Sequence, residues 1–413
     1  QNNKSLYLND KKLVDIEKFM LSEQDILLSV DANIGDVSLF LSDNQNDYIF
    51  SSGLMRLNIS YDINKYYLFA FLKDEYFRKQ LDAMTPKGST IRHSGNRFLE
   101  CLIPIPKDNE TWVIECIENL IKNLVFSEFQ AIHNQREIYT IFDNILDTVN
   151  ISSRNPNVSD LFDKYRLDAG IYSTDVQEFF DKISKFPTGS LNLNELGYIT
   201  KRGPNLAKRD IGRSIKTSTY APNYAMLVYP SDISEFGLVN KSTFLGTKGK
   251  IWYLQKDDIL FSAEGNVGKT FAICDNSWKF TTNFHGIIIT PTTNEHSMQN
   301  TILITTFLNY MKHKGIMDKI SVGGQGGSLA VQYWDIIKFP NISNDSLSEI
   351  SKLYYSGQSI NPFEFDSEKI KHLGIYEISN LRVLCKSLLD TILSDIKNDT
   401  LKDKDYYLSI LND

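Results

Sequence analysis

The run Ala263-Glu264-Gly265-Asn266-Val267-Gly268-Lys269-Thr270 is the stretch whose spacing comes nearest to catalytic machinery. In a phosphate-binding loop of this pattern, backbone N–H groups cradle the phosphates and the lysine meets their charge. Two features oppose that reading. A phosphate loop opens a helix, whereas Phe271-Ala272-Ile273-Cys274-Asp275-Asn276 reads as a short strand ending in a turn. The sequence also repeats the element: residues 25–35 are DILLSVDANIG and residues 258–268 are DILFSAEGNVG, with Asp36-Val37 standing in the first copy where the second has Lys269-Thr270. The expectation is a strand-turn-strand unit with no nucleotide chemistry.

Other reactive patterns are weaker. Asp257-Asp258 is more simply a turn before a strand than an acid–base pair, which needs convergent geometry. Asn361-Pro362-Phe363 is not an adenine-methylation motif, and neither a nucleophile elbow nor a Gly-rich dinucleotide turn occurs. Cys101, Cys116, Cys274 and Cys385 lack CxxC spacing, and the six histidines form no paired-ligand pattern. No catalytic residue, structural metal or cofactor is expected.

The basic clusters fit a different chemistry, since phosphate anchoring needs Lys, Arg or free backbone N–H groups and base reading needs Arg, Lys, Asn or Gln. Between Gly197 and Tyr220 lie Lys201, Arg202, Lys208, Arg209, Arg213 and Lys216 against the single acid Asp210, in a chain of formal charge −7. A charge run is ordinarily solvated surface, so this one counts as a DNA-contact candidate only in combination with other signals. Gly323-Gly324-Gln325-Gly326-Gly327-Ser328 lets backbone approach a phosphate, with Gln325 available to an adenine edge, or else is a plain turn. Its first-copy counterpart, Lys87-Gly88-Ser89-Thr90-Ile91-Arg92, adds cations; Lys87, Ser89 and Arg92 are the candidates there.

The elements that must position these residues follow from the duplication. The 233-residue offset of the first match becomes 236 between Phe71-Leu72 and Phe307-Leu308 and between Ile103-Pro104 and Phe339-Pro340. Short apolar runs at Ala225–Tyr229, Ile251–Leu254, Ile259–Ser262, Phe271–Cys274 and Gly286–Thr290 predict strands, and Asn300–Lys314 a helix. After each copy comes a helical pattern, 110–149 and then 343–355 plus 376–411. Its apolar stripes are Ile114, Ile117, Ile121 and Leu124, then Ile138, Phe142, Ile145 and Val149, and finally Ile378, Leu381, Cys385, Leu388 and Ile392. Matching stripes predict an antiparallel pair, about 50 Å long at 1.5 Å per residue, that spaces the globular units. The expected fold is α+β: a recognition unit over 1–107, a long helix over 108–150, a second unit over 151–340 and a helical region over 341–413. No run is apolar enough to span a membrane and no signal-peptide core is visible, so a cytoplasmic protein is expected.

Two variable units alternating with two long helices resemble the specificity (S) subunit of type I restriction-modification enzymes. Arg166-Leu167-Asp168-Ala169-Gly170-Ile171-Tyr172 is similar to the opening of many target recognition domains, and Leu196-Gly197-Tyr198-Ile199 to the strand that follows. The resemblance implies two target recognition domains reading a bipartite duplex DNA target, and helices that dock methyltransferase subunits, with Ile114, Ile121, Ile138, Ile145, Leu381 and Leu388 as candidate docking residues. It also implies that S-adenosylmethionine and ATP belong to the partners, a restriction or translocase subunit among them. By the repeat offset the counterpart of Arg166 falls about seventy residues before Gln1, so the first domain is expected to be truncated at its start. A C-terminal region of a fused restriction-modification enzyme and a coiled-coil interaction scaffold are the alternatives.

Overall fold

The computed structural model describes residues 16–42, 48–60, 62–86, 93–151, 157–164, 166–221, 223–293, 296–322, 329 and 331–410. Two compact units are formed, one from Gln1–Val125 with Ile392–Lys404, the other from Phe126–Thr391 with Asp405–Asp413.

In the first unit, strands β1 (Ile26–Ser29), β2 (Val37–Leu39) and β3 (Leu54–Arg56) make an antiparallel sheet of order β2-β1-β3. Helix α1 (Lys65–Lys73) starts where the Asn64 side chain accepts from the Tyr66 and Tyr67 N–H groups, each at 3.0 Å, and α2 (Glu75–Met84) starts at the Asp74 cap. Helix α3 (Trp112–Asp147), 36 residues long, carries residues of both units.

The second unit opens with α4 (Val158–Lys164), α5 (Thr174–Ser184), β4 (Ser190–Leu191), β5 (Tyr198–Arg202), α6 (Lys208–Ile211), β6 (Ser214–Thr217), β7 (Ala225–Leu227) and β8 (Phe244–Thr247). It continues through β9 (Ile259–Ser262), β10 (Thr270–Ala272), β11 (Phe280–Thr281), β12 (Gly286–Pro291), α7 (Met298–His313), α8 (Ile316–Ile320), β13 (Phe339–Pro340), α9 (Asn344–Tyr354) and α10 (Ser367–Lys371). Helices α11 (Ile375–Lys397) and α12 (Lys404–Ser409) close the chain. Four-stranded sheets of order β10-β9-β12-β5 and β11-β7-β8-β6 form, and β13 pairs with β4. Against the first sheet lies α7, whose residues Thr301 to Met311 are all buried.

The mixed helix-and-strand architecture matches the expectation. Ile251–Leu254 forms no strand, although Leu254 N–H still bonds to the Phe280 carbonyl at 2.9 Å. The C-terminal helical pattern breaks at 398–403: Asp399 takes φ +55° and the Thr400 N–H closes onto the Asp395 carbonyl at 2.9 Å, a left-handed helix stop that the periodicity of the apolar residues conceals. In the second unit α3 and α11 run antiparallel, because Glu128 meets Arg382 at 2.7 Å and, six residues on, Asn134 donates to the Leu373 carbonyl at 2.9 Å.

The duplicated motif is the same structure twice. Register is conserved: Ile26↔Leu39, Leu27↔Ser38 and Leu28↔Val37 become Ile259↔Ala272, Leu260↔Phe271 and Phe261↔Thr270. Gln24 and Asp257 enter with φ of +65° and +72°, and Gly35 and Gly268 leave the turn with +83° and +103°. Ser29 N–H bonds to the Asp36 carbonyl and Ser262 N–H to the Lys269 carbonyl, both at 2.8 Å. Asp25 and Asp258 each accept the N–H three residues upstream at 2.8 Å, which gives the Asp257-Asp258 pair a turn-forming role. Lys269 therefore leads into a strand, as expected, and its half-buried ammonium is pushed below the usual range by desolvation, opposed by Glu235 and reinforced by Lys312.

Asp257 is held by His296, whose Nε2 lies 2.6 Å from its carboxylate while Nδ1 lies 2.8 Å from the Thr293 carbonyl. A carbonyl and a carboxylate both accept, so the protonated ring, a donor at each nitrogen, is the form that satisfies both partners. The Asp257 bond raises the imidazole above its usual 6.5, against a smaller lowering by burial. A raised folded value means the pair stabilises fully below about pH 6.5 and loses that contribution as pH climbs through the folded value. Urea denaturation of His296→Gln and wild type at about pH 5.5 and 8.5 checks this: the variant's deficit should shrink at the higher pH, and a constant deficit refutes it.

Candidate nucleic-acid interface

Five of the six cations proposed between Gly197 and Tyr220 sit on regular elements: Lys201 and Arg202 on β5, Lys208 and Arg209 on α6, and Lys216 on β6, with Arg213 just before β6. Both strands are sheet edges, β5 of one sheet and β6 of the other. The chain crosses between them at Gly203, where a Cβ would lie 2.1 Å from the Asn283 carbonyl oxygen, so only glycine fits. All of β6 apart from Thr217 is exposed.

A small apolar cluster seats this region. Ile211, Leu227 and Leu245 are buried, with Leu206, Tyr229 and Ile251 packed against them. Around it the backbone is drawn tight: Thr247 Oγ1 donates at 2.6 Å to the Ile211 carbonyl and lies 2.9 Å from that of Arg213. The following turn, Lys248-Gly249-Lys250, thereby joins the α6–β6 cations, and both lysines are exposed. Sequence reasoning missed these two because about 35 residues separate them from Arg213; a K-G-K triplet beside a strand was the available signal. Lys250 leads through Ile251 to Trp252, over whose half-exposed ring the Lys201 ammonium lies 4.4 Å from the centroid. Lys216 Nζ meets the Tyr229 hydroxyl at 2.7 Å. Arg202 departs from the pattern, since it pairs with Glu264 at 3.2 Å. The surface is cationic and interleaved with aromatic rings, a combination suited to phosphates and bases.

Arg166 is structural. Its side chain is 3% exposed and bonds Asp168 at 2.8 and 2.5 Å and the Ile320 carbonyl at 2.7 Å, fixing the chain just ahead of the Gly-rich segment. Gly323, Gly324, Gln325, Gly326 and Ser328, like Lys87, Ser89 and Arg92, lie outside the described residues. Ile121, Ile138, Leu381 and Leu388 are at most 5% exposed, and Ile114 and Ile145 are half-buried. The stripe turns inward at Val113 and Leu146, one residue away from Ile114 and Ile145, so a docking surface on α3 must use other positions. Cys101 is half-buried, the other three cysteines are buried, and all four are free thiols. Among the described residues no His/Cys/Asp/Glu group could hold a metal ion, and no helix is long and apolar enough to cross a membrane.

The first copy of the duplicated unit and the whole of α3 fall within a matched family segment. Residues 2–158 match the type I restriction modification DNA specificity domain. The resemblance read from the sequence is borne out over these residues. Solved structures similar to the chain include the type I restriction-modification S subunit from M. genitalium, at 14% identity and TM-score 0.34, covering 96% of this chain and 84% of that one. The HsdS subunit from Thermoanaerobacter tengcongensis is similar at 11% identity and TM-score 0.28, covering 95% and 81%. A chain from structural work on complex assembly and conformational transition of the type I R-M system gives 11%, TM-score 0.32, and 92% and 83%. No curated protein matches the chain.

Gly249 offers a test of how the basic turn is seated. A Cβ there would lie 2.2 Å from the Ile211 carbonyl oxygen. Gly249→Ala should destabilise the protein by about 1–3 kcal/mol through overpacking, read as a lowered denaturant midpoint. An unchanged midpoint would show that the turn lifts away at no cost.

Proposed function

We propose that the chain is the DNA-recognition subunit of a type I restriction-modification system, with each copy of the duplicated unit reading one half of a split duplex target. The observation that carries this reading is the shared register of residues 26–39, inside the family match, and 259–272, outside it, with the cationic, aromatic surface built on the second copy. A net negative protein binds duplex DNA through local cation clusters; Lys208, Arg209, Arg213, Lys216, Lys248 and Lys250 supply one. Aromatic faces and Arg202 lie within the same unit for base contact.

The chain itself performs no catalysis in this reading. Methyl transfer from S-adenosylmethionine and ATP-driven cleavage belong to partner subunits, and the protein works in the cytoplasm where its DNA target lies. Methyltransferase subunits would seat on outward helix positions such as His133, Glu137, Thr140 and Asn144, which step by four, three and four along α3 and are exposed.

The test is selection from a randomised duplex library by the chain with its methyltransferase partner. Two short half-sites at fixed spacing are the expected result, and no enrichment at low salt with the partner bound overturns the reading. Replacing Arg209, Arg213 and Lys250 by Ala should reduce the slope of log affinity against log salt by about one per lost phosphate contact. An unchanged slope removes this surface from the DNA contact.

A further inference from the structure

We propose that Glu264, and Asp31 at the equivalent place in the first copy, determine sequence specificity: each carboxylate fixes base-reading side chains and faces base edges rather than phosphates. The inference rests on reading the chain as a DNA-recognition subunit and assigns a role to the loop that mimics a phosphate-binding motif.

Glu264 uses both oxygens. Oε1 accepts from Arg202 Nη1 at 3.2 Å, and Oε2 lies 2.7 Å from His285 Nδ1. The three side chains are 41%, 42% and 47% exposed, so the cluster is open to a ligand while its members restrain each other. Arg202 is thereby pre-oriented, and its guanidinium keeps further N–H donors for the two-point contact that guanine O6 and N7 require. Phe284, 49% exposed with its ring centroid 3.9 Å from that of His285, adds an apolar surface of the kind that meets a thymine methyl. Gly265 at the turn tip has φ +73° and nothing within 4 Å of where a Cβ would sit, leaving space for an approaching base edge.

A carboxylate on a DNA-binding surface is repelled by every phosphate, so it weakens binding to all duplexes alike. It is compatible with DNA contact where it organises donors or accepts from a base such as cytosine N4. The first copy points the same way. Asp31 precedes Glu264 by the 233-residue offset of the repeat, Ala32 holds φ +58° at the place of Gly265, and Asp31 Oδ1 lies 2.6 Å from His93 Nδ1. His93 and His285 are not repeat equivalents, being 192 residues apart, so the two copies reach a carboxylate–imidazole pair by different routes. Inheritance of the fold alone does not explain that coincidence.

The experiment is library selection by the complex with methyltransferase, using wild type, Glu264→Gln, Glu264→Ala and Asp31→Asn, beside affinity for a random duplex. Both Glu264 substitutions should lower preference at one position of one half-site by about tenfold or more, with random-duplex affinity equal or higher. Asp31→Asn should do the same in the other half-site. Preferences that survive all three substitutions overturn this proposal alone, as does a uniform loss of affinity for every duplex, which marks a merely structural role. A wild-type complex that selects nothing overturns the recognition reading, and this proposal falls with it.

Discussion

The arrangement on which the rest depends is the turn that joins β1 to β2 and β9 to β10. It is set by backbone geometry more than by side-chain chemistry: a left-handed residue before the first strand, a left-handed glycine at the end of the turn, and the Ser29–Asp36 or Ser262–Lys269 hydrogen bond that closes it. A one-residue slip would turn every inward side chain outward, and these positions forbid it. The helix behind each unit is then aimed at the same spot. Lys73 Nζ reaches the Val37 carbonyl at 3.0 Å in the first copy, and Asn309 lies on both the N–H and the carbonyl of Thr270 in the second. Different residues meet the same backbone need at matching positions.

From this frame the basic surface follows. The β9–β12–β5 ladder carries Lys201 and Arg202 to a sheet edge, Gly203 brings the chain across, and the Ile211–Leu227–Leu245 cluster anchors the short helix and strand bearing the remaining cations. An otherwise acidic chain thus concentrates positive charge without a long basic tract. Such a surface is invisible in a net charge.

Much of this was legible in the sequence. The repeat, the strand-turn-strand nature of the phosphate-loop mimic, the long helix after the first copy and the stripe from Ile378 to Ile392 all rest on local pattern, which survives into three dimensions. What was not legible depended on contacts between distant segments. Lys248 and Lys250 join Arg213 only because Thr247 bonds two carbonyls some 35 residues upstream. Arg202 looked like a free cation because Glu264, 62 residues away, is invisible to a local reading. At Val113–Ile114 and Ile145–Leu146 the inward position of α3 shifted by one residue because an apolar stripe fixes a side of the helix, not which of two adjacent apolar residues is covered. The stop at Asp399 turned on one left-handed residue in the segment Asn398-Asp399-Thr400, whose poor helix propensity is masked by the apolar periodicity on either side.

Strand β6 has a consequence outside recognition. It ends its sheet with four residues, and among the described residues no further strand pairs with its outer edge, while Ile215 stands 63% exposed in its middle. Such an edge invites strand-to-strand aggregation unless charge guards it. Lys216 within the strand, Arg213 before it and Lys248 and Lys250 beside its partner provide that guard. The cations proposed to contact DNA are thus placed to act as gatekeepers of the unbound protein as well, and substituting them removes that protection of the edge.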